Sequence, residues 1–125
     1  MHIYKQFKKG FLNACLGIQY ACRHERNFRI ELGLALIAII LGFIVKITLI
    51  EWVILLLVIS SVLVLELINT GFEILVDFIK PRLHDQVEII KNIVAGAVLV
   101  ASFVAVIQGG IIFVPYFFKF CFRFF

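Results

Sequence analysis

Four polar side chains lie inside the second long apolar stretch of this chain, where acidic groups are unexpected. They are Glu66, Asn69, Glu73 and Asp77. An ionisable group inside a membrane has a high free-energy cost, so such groups are rare there and usually functional. Carboxylate oxygens bind divalent cations, and a carboxylate can also act as a general base. These residue types therefore indicate a cation site with a base beside it.

The spacing of the four residues places them on one face of a helix. At about 100° per residue, their offsets fall at about 0°, 300°, 340° and 20°, so the polar stripe is about 80° wide. Two other interpretations of the stripe remain open. It could supply hydrogen bonds between the helices of a structural bundle, or it could line a small ion pathway.

The composition indicates an integral membrane protein. The 125 residues are 63% hydrophobic and 16% charged, and the mean hydropathy is +1.10. A soluble domain is about half apolar, and about a quarter of its residues are charged. A soluble fold of this length could not bury so many apolar side chains, so we expect a single membrane domain over residues 1–125.

Long apolar runs with helical character predict an all-α fold with three transmembrane helices, over about residues 28–46, 50–79 and 89–114. Pro115 follows the third run. Residues 4–26 carry apolar side chains at helical spacing, with most cations on the other side, which predicts an amphipathic surface helix. The alternative is a basic segment that only sets the topology.

The cations orient the three spans. Nine of the twelve lysines and arginines fall on the N-terminal side of a three-span chain, which predicts a cytoplasmic N-terminus. Trp52 is then an anchor at the outer interface, and Glu66 follows it by 14 residues, or about 21 Å of helix. Because the hydrocarbon core is about 30 Å thick, Glu66 lies in its inner half and Asp77 in cytoplasmic water. A stripe at this depth could join a water-soluble reactant to a membrane-dissolved one.

The order and spacing of these residues resemble a known family. The pattern is Glu66-Leu-Ile-Asn69-Thr-Gly-Phe-Glu73-x-x-x-Asp77, then His84, then Lys91-Asn92-x-x-Ala95-Gly96-Ala97. It resembles the bacterial integral-membrane diacylglycerol kinase family. Glu25-Arg26-Asn27-Phe28-Arg29 before the first span and Glu51-Trp52 before the second are similar to its undecaprenol kinase branch. The resemblance covers about Lys5 to Pro115.

This resemblance implies a homotrimer in the bacterial inner membrane, with sites shared between subunits, that transfers the ATP γ-phosphate to a lipid alcohol. Undecaprenol is the favoured acceptor and diacylglycerol the alternative; no nucleic-acid partner is expected. The implied catalytic residues are Glu66, as general base, and Asn69, which orients it. Glu25 and Glu73 would bind Mg²⁺. The implied ATP-binding residues are Glu25, Glu73, Asp77, Arg82, His84, Lys91 and Asn92. The implied lipid-binding residues are Glu31, Glu66 and Ala95.

The chain departs from the family pattern at Asn92, where the family usually has aspartate after the lysine. Asn92 keeps the shape and hydrogen bonding of aspartate but not its charge. Without the resemblance, Glu25 and Glu31 would be typical of acids near helix starts, where the helix dipole favours them. The alternative to an enzyme is a non-catalytic trimeric membrane protein.

Overall fold

The computed structural model describes residues 1–79 and 84–125, and all of the regular secondary structure in these residues is helical. The helices are α1 (His2–His24), α2 (Arg26–Val45), α3 (Leu49–Ile79) and α4 (His84–Phe124). Three segments are long and apolar enough to cross a membrane, namely α2, α3 and Asp85–Phe124 of α4. The predicted fold class, three membrane helices after a separate N-terminal helix, is confirmed.

A sharp corner joins α1 to α2 and holds Glu25 at the junction. Glu25 has an extended backbone conformation, with φ −105° and ψ 110°. Arg29 Nη1 donates hydrogen bonds to the carbonyl oxygens of Cys22 at 3.1 Å and Arg23 at 2.9 Å. These bonds satisfy carbonyl groups that the end of α1 leaves without helical partners. The corner therefore fixes the position of the Glu25 backbone, from which its carboxylate side chain extends.

The turn between α2 and α3 is closed by a capping box. The Thr48 amide donates to Glu51 Oε2 at 3.2 Å, and the Glu51 amide donates to Thr48 Oγ1 at 3.3 Å. This reciprocal pair satisfies amide groups at the start of α3. Before it, Lys46 adopts the left-handed conformation that ends α2, with φ 56° and ψ 59°.

Helix α3 is the central element, against which both α4 and α2 pack. Its buried side chains share one face, an arc of about 120°. They are Leu55, Val62, Glu66, Asn69, Thr70 and Val76. The face is apolar near the start of α3, where Leu55 packs with Ile47 and Ile112. It becomes polar at Glu66, so the same packing face both holds the bundle together and positions the acidic stripe.

Helix α4 continues beyond the predicted third span and passes through Pro115 to Phe124. Proline removes one backbone donor from a helix, but membrane helices tolerate this when neighbouring groups compensate. The next residue contacts α3: the Tyr116 hydroxyl donates to Glu51 Oε2 at 2.8 Å. This contact ties the end of α4 to the capping box of α3.

Candidate active site

The Glu66 side chain faces a small cavity between α2, α3 and α4. Glu66 is only 3% exposed, and the Thr70 hydroxyl donates to its backbone carbonyl at 2.9 Å. The cavity has a volume of about 260 Å³. Its walls are Asn27, Ile30, Glu31, Glu66, Ala95, Val98, Leu99 and Ser102. A buried carboxylate therefore meets a space that can hold a small polar group.

Glu31 forms the opposite polar wall of this cavity. Ser102 Oγ, on α4, donates a hydrogen bond to Glu31 Oε1, on α2, at 3.3 Å. The bond joins two helices across the cavity and leaves Glu31 beside Glu66. The acidic surface is thus built from side chains far apart in the sequence.

Glu31 and Glu66 line the cavity, and Glu25 and Glu73 lie near enough for their charges to act on Glu66. We call these four residues the carboxylate cluster. The charges that act on Glu66 come from Glu31, Glu25 and Glu73, and all are negative. Like charges repel strongly where water is scarce. Such a cluster favours the binding of a cation, which would remove most of that repulsion.

The Asn69 side chain contacts the cluster through its nitrogen, and its oxygen faces no donor in the described residues. Its Nδ2 donates to Glu73 Oε1 at 3.2 Å, which orients that carboxylate. Its Oδ1 is buried and has no hydrogen-bond partner among residues 1–79 and 84–125. An unpaired buried acceptor costs about 1–3 kcal/mol. A ligand that brings a donor to Asn69 would recover that free energy.

The donor set fits a Mg²⁺ ion that arrives with a nucleotide. In the part of the chain that is described, no three His, Cys, Asp or Glu side chains are arranged to hold a metal by themselves. Mg²⁺ commonly uses one or two carboxylates, and phosphate oxygens and water complete its shell. Glu25 and Glu73 are the two carboxylates for which the family resemblance implies this role. Glu25 is the N-cap residue of α2, yet its side chain makes no capping hydrogen bond. Binding a metal ion would therefore not compete with helix capping for this carboxylate.

The remaining predicted nucleotide residues lie toward the end of α3 and the start of α4. Asp77 and Asn92 are exposed and Lys91 is half-buried. No hydrogen bond within the described ranges links these three side chains to the carboxylate cluster. Arg82 lies outside the described residues, and so does the side chain of His84, whose backbone begins α4. Their predicted roles are therefore carried forward as proposals.

Two polar wall residues, Ser102 and Asn27, were not found as site residues from the sequence. Ser102 is a polar residue within an apolar span, and at about 100° per residue it lies within about 20° of Lys91 on α4. Ala95 and Val98 share this face and also line the cavity. The helical period from Lys91 was the signal that could have identified Ser102. Asn27 gave no comparable signal.

An apolar groove of about 290 Å³ adjoins the polar cavity and is lined by residues of the three spanning helices. Glu31 and Ser102 line both spaces. From there the groove passes Leu34, Leu41 and Val62 and reaches Phe113. A molecule with a polar head and a long apolar chain could place the head at Glu66 and the chain in the groove.

Comparisons with known proteins match the sequence of this chain to lipid kinases. Residues 12–113 match the family described as prokaryotic diacylglycerol kinase. An undecaprenol kinase of Bacillus subtilis is 39% identical over 110 residues, which cover 88% of this chain and 89% of that protein. A diacylglycerol kinase of Synechocystis sp. is 36% identical over 107 residues, which cover 85% of this chain but 61% of that protein. The carboxylate cluster lies inside the matched range, and residues 114–125 lie beyond it.

Proposed function

The chain belongs to the prokaryotic diacylglycerol kinase family, a family of lipid kinases, and we propose that it transfers the γ-phosphate of ATP to undecaprenol. The observation that carries the proposal is the polar cavity at Glu66, which shares the wall residues Glu31 and Ser102 with an apolar groove. This geometry suits an acceptor with one hydroxyl group and a long chain.

Glu66 acts as the general base in this proposal. The lipid oxygen forms a bond to the γ-phosphorus, the bond from that phosphorus to the bridging oxygen of ADP breaks, and the hydroxyl proton passes to a Glu66 oxygen. The buried position of Glu66 excludes bulk water, which would otherwise compete with the lipid hydroxyl. Glu31, held by Ser102, limits where the hydroxyl can lie.

Glu25 and Glu73 would hold Mg²⁺, which on binding neutralises the charge of the ATP phosphates. Asn69 holds Glu73 through the 3.2 Å hydrogen bond and offers its unpaired Oδ1 to a donor in the site. Lys91, Arg82 and His84 would contact the phosphates or the nucleotide. Asp77 and Asn92 would complete that region at the membrane surface. Phosphoryl transfer depends mainly on positioning and charge neutralisation, and these groups supply both.

Undecaprenol is favoured over diacylglycerol as the acceptor. The Bacillus subtilis relative named undecaprenol kinase matches this chain over nearly the full length of both proteins. The relative named diacylglycerol kinase is aligned over 61% of its length.

The proposed setting is the bacterial inner membrane, with a cytoplasmic N-terminus. The three apolar helices then place the carboxylate cluster toward the cytoplasm, where ATP is available. We further propose that the protein is a homotrimer with sites shared between subunits, as the family resemblance implies.

The decisive experiment is phosphotransfer from labelled ATP to purified lipids in mixed micelles. We expect undecaprenol to be phosphorylated faster than diacylglycerol. Faster transfer to diacylglycerol would reverse the acceptor assignment but leave the kinase proposal intact. Transfer to no lipid would favour the non-catalytic membrane protein.

Two variants separate the roles of base and metal ligand. Glu66→Gln should lower turnover by ~10²–10⁴-fold, the usual contribution of a general base, and nucleotide binding should persist. Glu73→Gln should instead raise the Mg²⁺ concentration needed for half-maximal rate, because it removes one charged oxygen ligand. Glu51→Gln makes the same chemical change far from the cluster and should leave both parameters unchanged. Near-normal turnover of Glu66→Gln would contradict its assignment as base.

A further inference from the structure

The last turns of α4 carry a surface that the proposed kinase site does not use. We call residues 116–125 the terminal segment. It lies beyond the range that matches the family. The hydrogen bond from Tyr116 to Glu51 places its start level with the first turn of α3. Glu66 follows Glu51 by 15 residues, or about 22 Å of helix, so the segment and the carboxylate cluster lie at different depths.

The side chains of the terminal segment divide into two opposite faces. At about 100° per residue, Lys119 and Arg123 lie within about 40° of each other. Cys121 and six phenylalanines occupy an arc of about 200° centred on the opposite side, which we call the aromatic arc. These phenylalanines are Phe117, Phe118, Phe120, Phe122, Phe124 and Phe125, and each is more than half exposed. The chain itself therefore leaves most of this arc uncovered.

Contacts at the start of the segment orient both faces. Tyr116 lies on the cationic side and binds Glu51 of α3. Lys119 Nζ lies 5.8 Å from the centre of the Tyr116 ring. The cationic face is thus directed toward the start of α3. The aromatic arc consequently points away from the bundle, toward the surroundings of the protein.

The length of α4 places this arc at a membrane interface. Its 41 residues span about 61 Å, whereas the hydrocarbon core is about 30 Å thick and the whole bilayer about 40–45 Å. The terminal segment therefore extends past the hydrocarbon core at the end that carries Glu51. Aromatic rings concentrate in that layer, and basic side chains there bind lipid phosphates. Pro115, at the start of the segment, is a residue at which a helix can change direction.

We propose that the terminal segment is an anchor in the membrane interface at the Glu51 end of the bundle. The aromatic arc lies at the boundary of the acyl chains, and Lys119 and Arg123 bind the phosphates of anionic lipid headgroups. The occupant is a lipid surface because two cations opposite a wide apolar arc match the layered charge of an anionic membrane.

Cys121 lies in the middle of the aromatic arc and provides a probe of immersion. The full-length protein in the Cys15→Ser/Cys22→Ser background has Cys121 as its one remaining thiol for a spin label. The matched control is Arg123→Cys with all three natural cysteines replaced by serine. Both labels are measured in nanodiscs that contain phosphatidylglycerol. We expect the ratio of collisions with oxygen to collisions with a water-soluble nickel complex to be several-fold higher at position 121 than at position 123. Phosphotransfer by each labelled protein verifies that it is folded.

The lipid charge is tested by varying the nanodisc. When Lys119 and Arg123 are present, adding phosphatidylglycerol to phosphatidylcholine should move the Cys121 label deeper into the membrane. The double substitution Lys119→Gln/Arg123→Gln should abolish this change in depth. Lys8→Gln/Lys9→Gln removes the same charge from α1 and should preserve it. Equal nickel collision at positions 121 and 123 would overturn the proposal. So would strong dipolar coupling between Cys121 labels of different chains, which would identify a second copy as the occupant. A label depth insensitive to lipid charge would overturn the assignment of anionic headgroups.

Discussion

At the residue scale, Asn92 is the position where this chain departs from the pattern that it resembles. It follows the half-buried Lys91 and is itself exposed. An aspartate there would add a negative charge near the Lys91 ammonium without a large desolvation cost, because the carboxylate would remain in water. We expect Asn92→Asp to lower the Michaelis constant for ATP or raise turnover by at most about tenfold, equivalent to about 1.4 kcal/mol.

The measurement is an ATP titration of both proteins in the same mixed micelles. Gln86→Glu is the matched control, because Gln86 is also exposed in the first turns of α4 and the change adds the same charge. The control should leave the ATP response unchanged. Preference between lipids should not move in either variant, since the proposed position of the acceptor is at Glu66, away from Asn92. A loss of activity in Asn92→Asp would mean that asparagine is itself adapted to this site.

At the scale of elements, the contact between α2 and α3 depends on one glycine. A Cβ atom at Gly42 would lie 2.8 Å from Trp52 Cη2 and 3.1 Å from Ile47 Cδ1, too close for an ordinary contact. We expect Gly42→Ala to destabilise the protein by about 1–3 kcal/mol through overpacking. Gly33→Ala is the control on the same helix, because a Cβ there meets nothing within 4 Å. Thermal unfolding in detergent compares the two, and equal midpoints would show that Trp52 moves aside freely.

The elements were more predictable from the sequence than the contacts between them. Helical period alone placed Glu66, Asn69 and Glu73 on one face, and the structure adds the Asn69–Glu73 hydrogen bond within that face. The Ser102–Glu31 bond was not predictable, because it requires the relative placement of α2 and α4. The passage of α4 through Pro115 likewise depends on surroundings that include the contact between Tyr116 and Glu51. A rule based only on the residues next to a proline cannot predict that contact.

At the scale of the whole molecule, the four acids of the carboxylate cluster lie near one another within one chain. The charges of Glu25, Glu31 and Glu73 all act on Glu66 without a second subunit. Lys91 and Asn92 have no described bond to this cluster. If sites are shared in a trimer, the natural division is therefore between the cluster of one chain and the nucleotide-binding end of α4 of its neighbour.

Mixed trimers test this division. Glu66→Gln and Lys91→Gln subunits should each be inactive alone. In a random equal mixture, the subunit that supplies the cluster of a shared site has an intact Glu66 in half of the cases. The neighbouring subunit has an intact Lys91 in half of the cases. About a quarter of wild-type activity should therefore return in a symmetric oligomer. The control mixture is Glu66→Gln with Glu73→Gln, which alters two positions of the same helix α3. Assayed at a low Mg²⁺ concentration that leaves Glu73→Gln inactive, it should recover no activity. If the first mixture also stays inactive, each kinase site uses the Lys91 of its own chain, and the trimer serves only to stabilise the bundle.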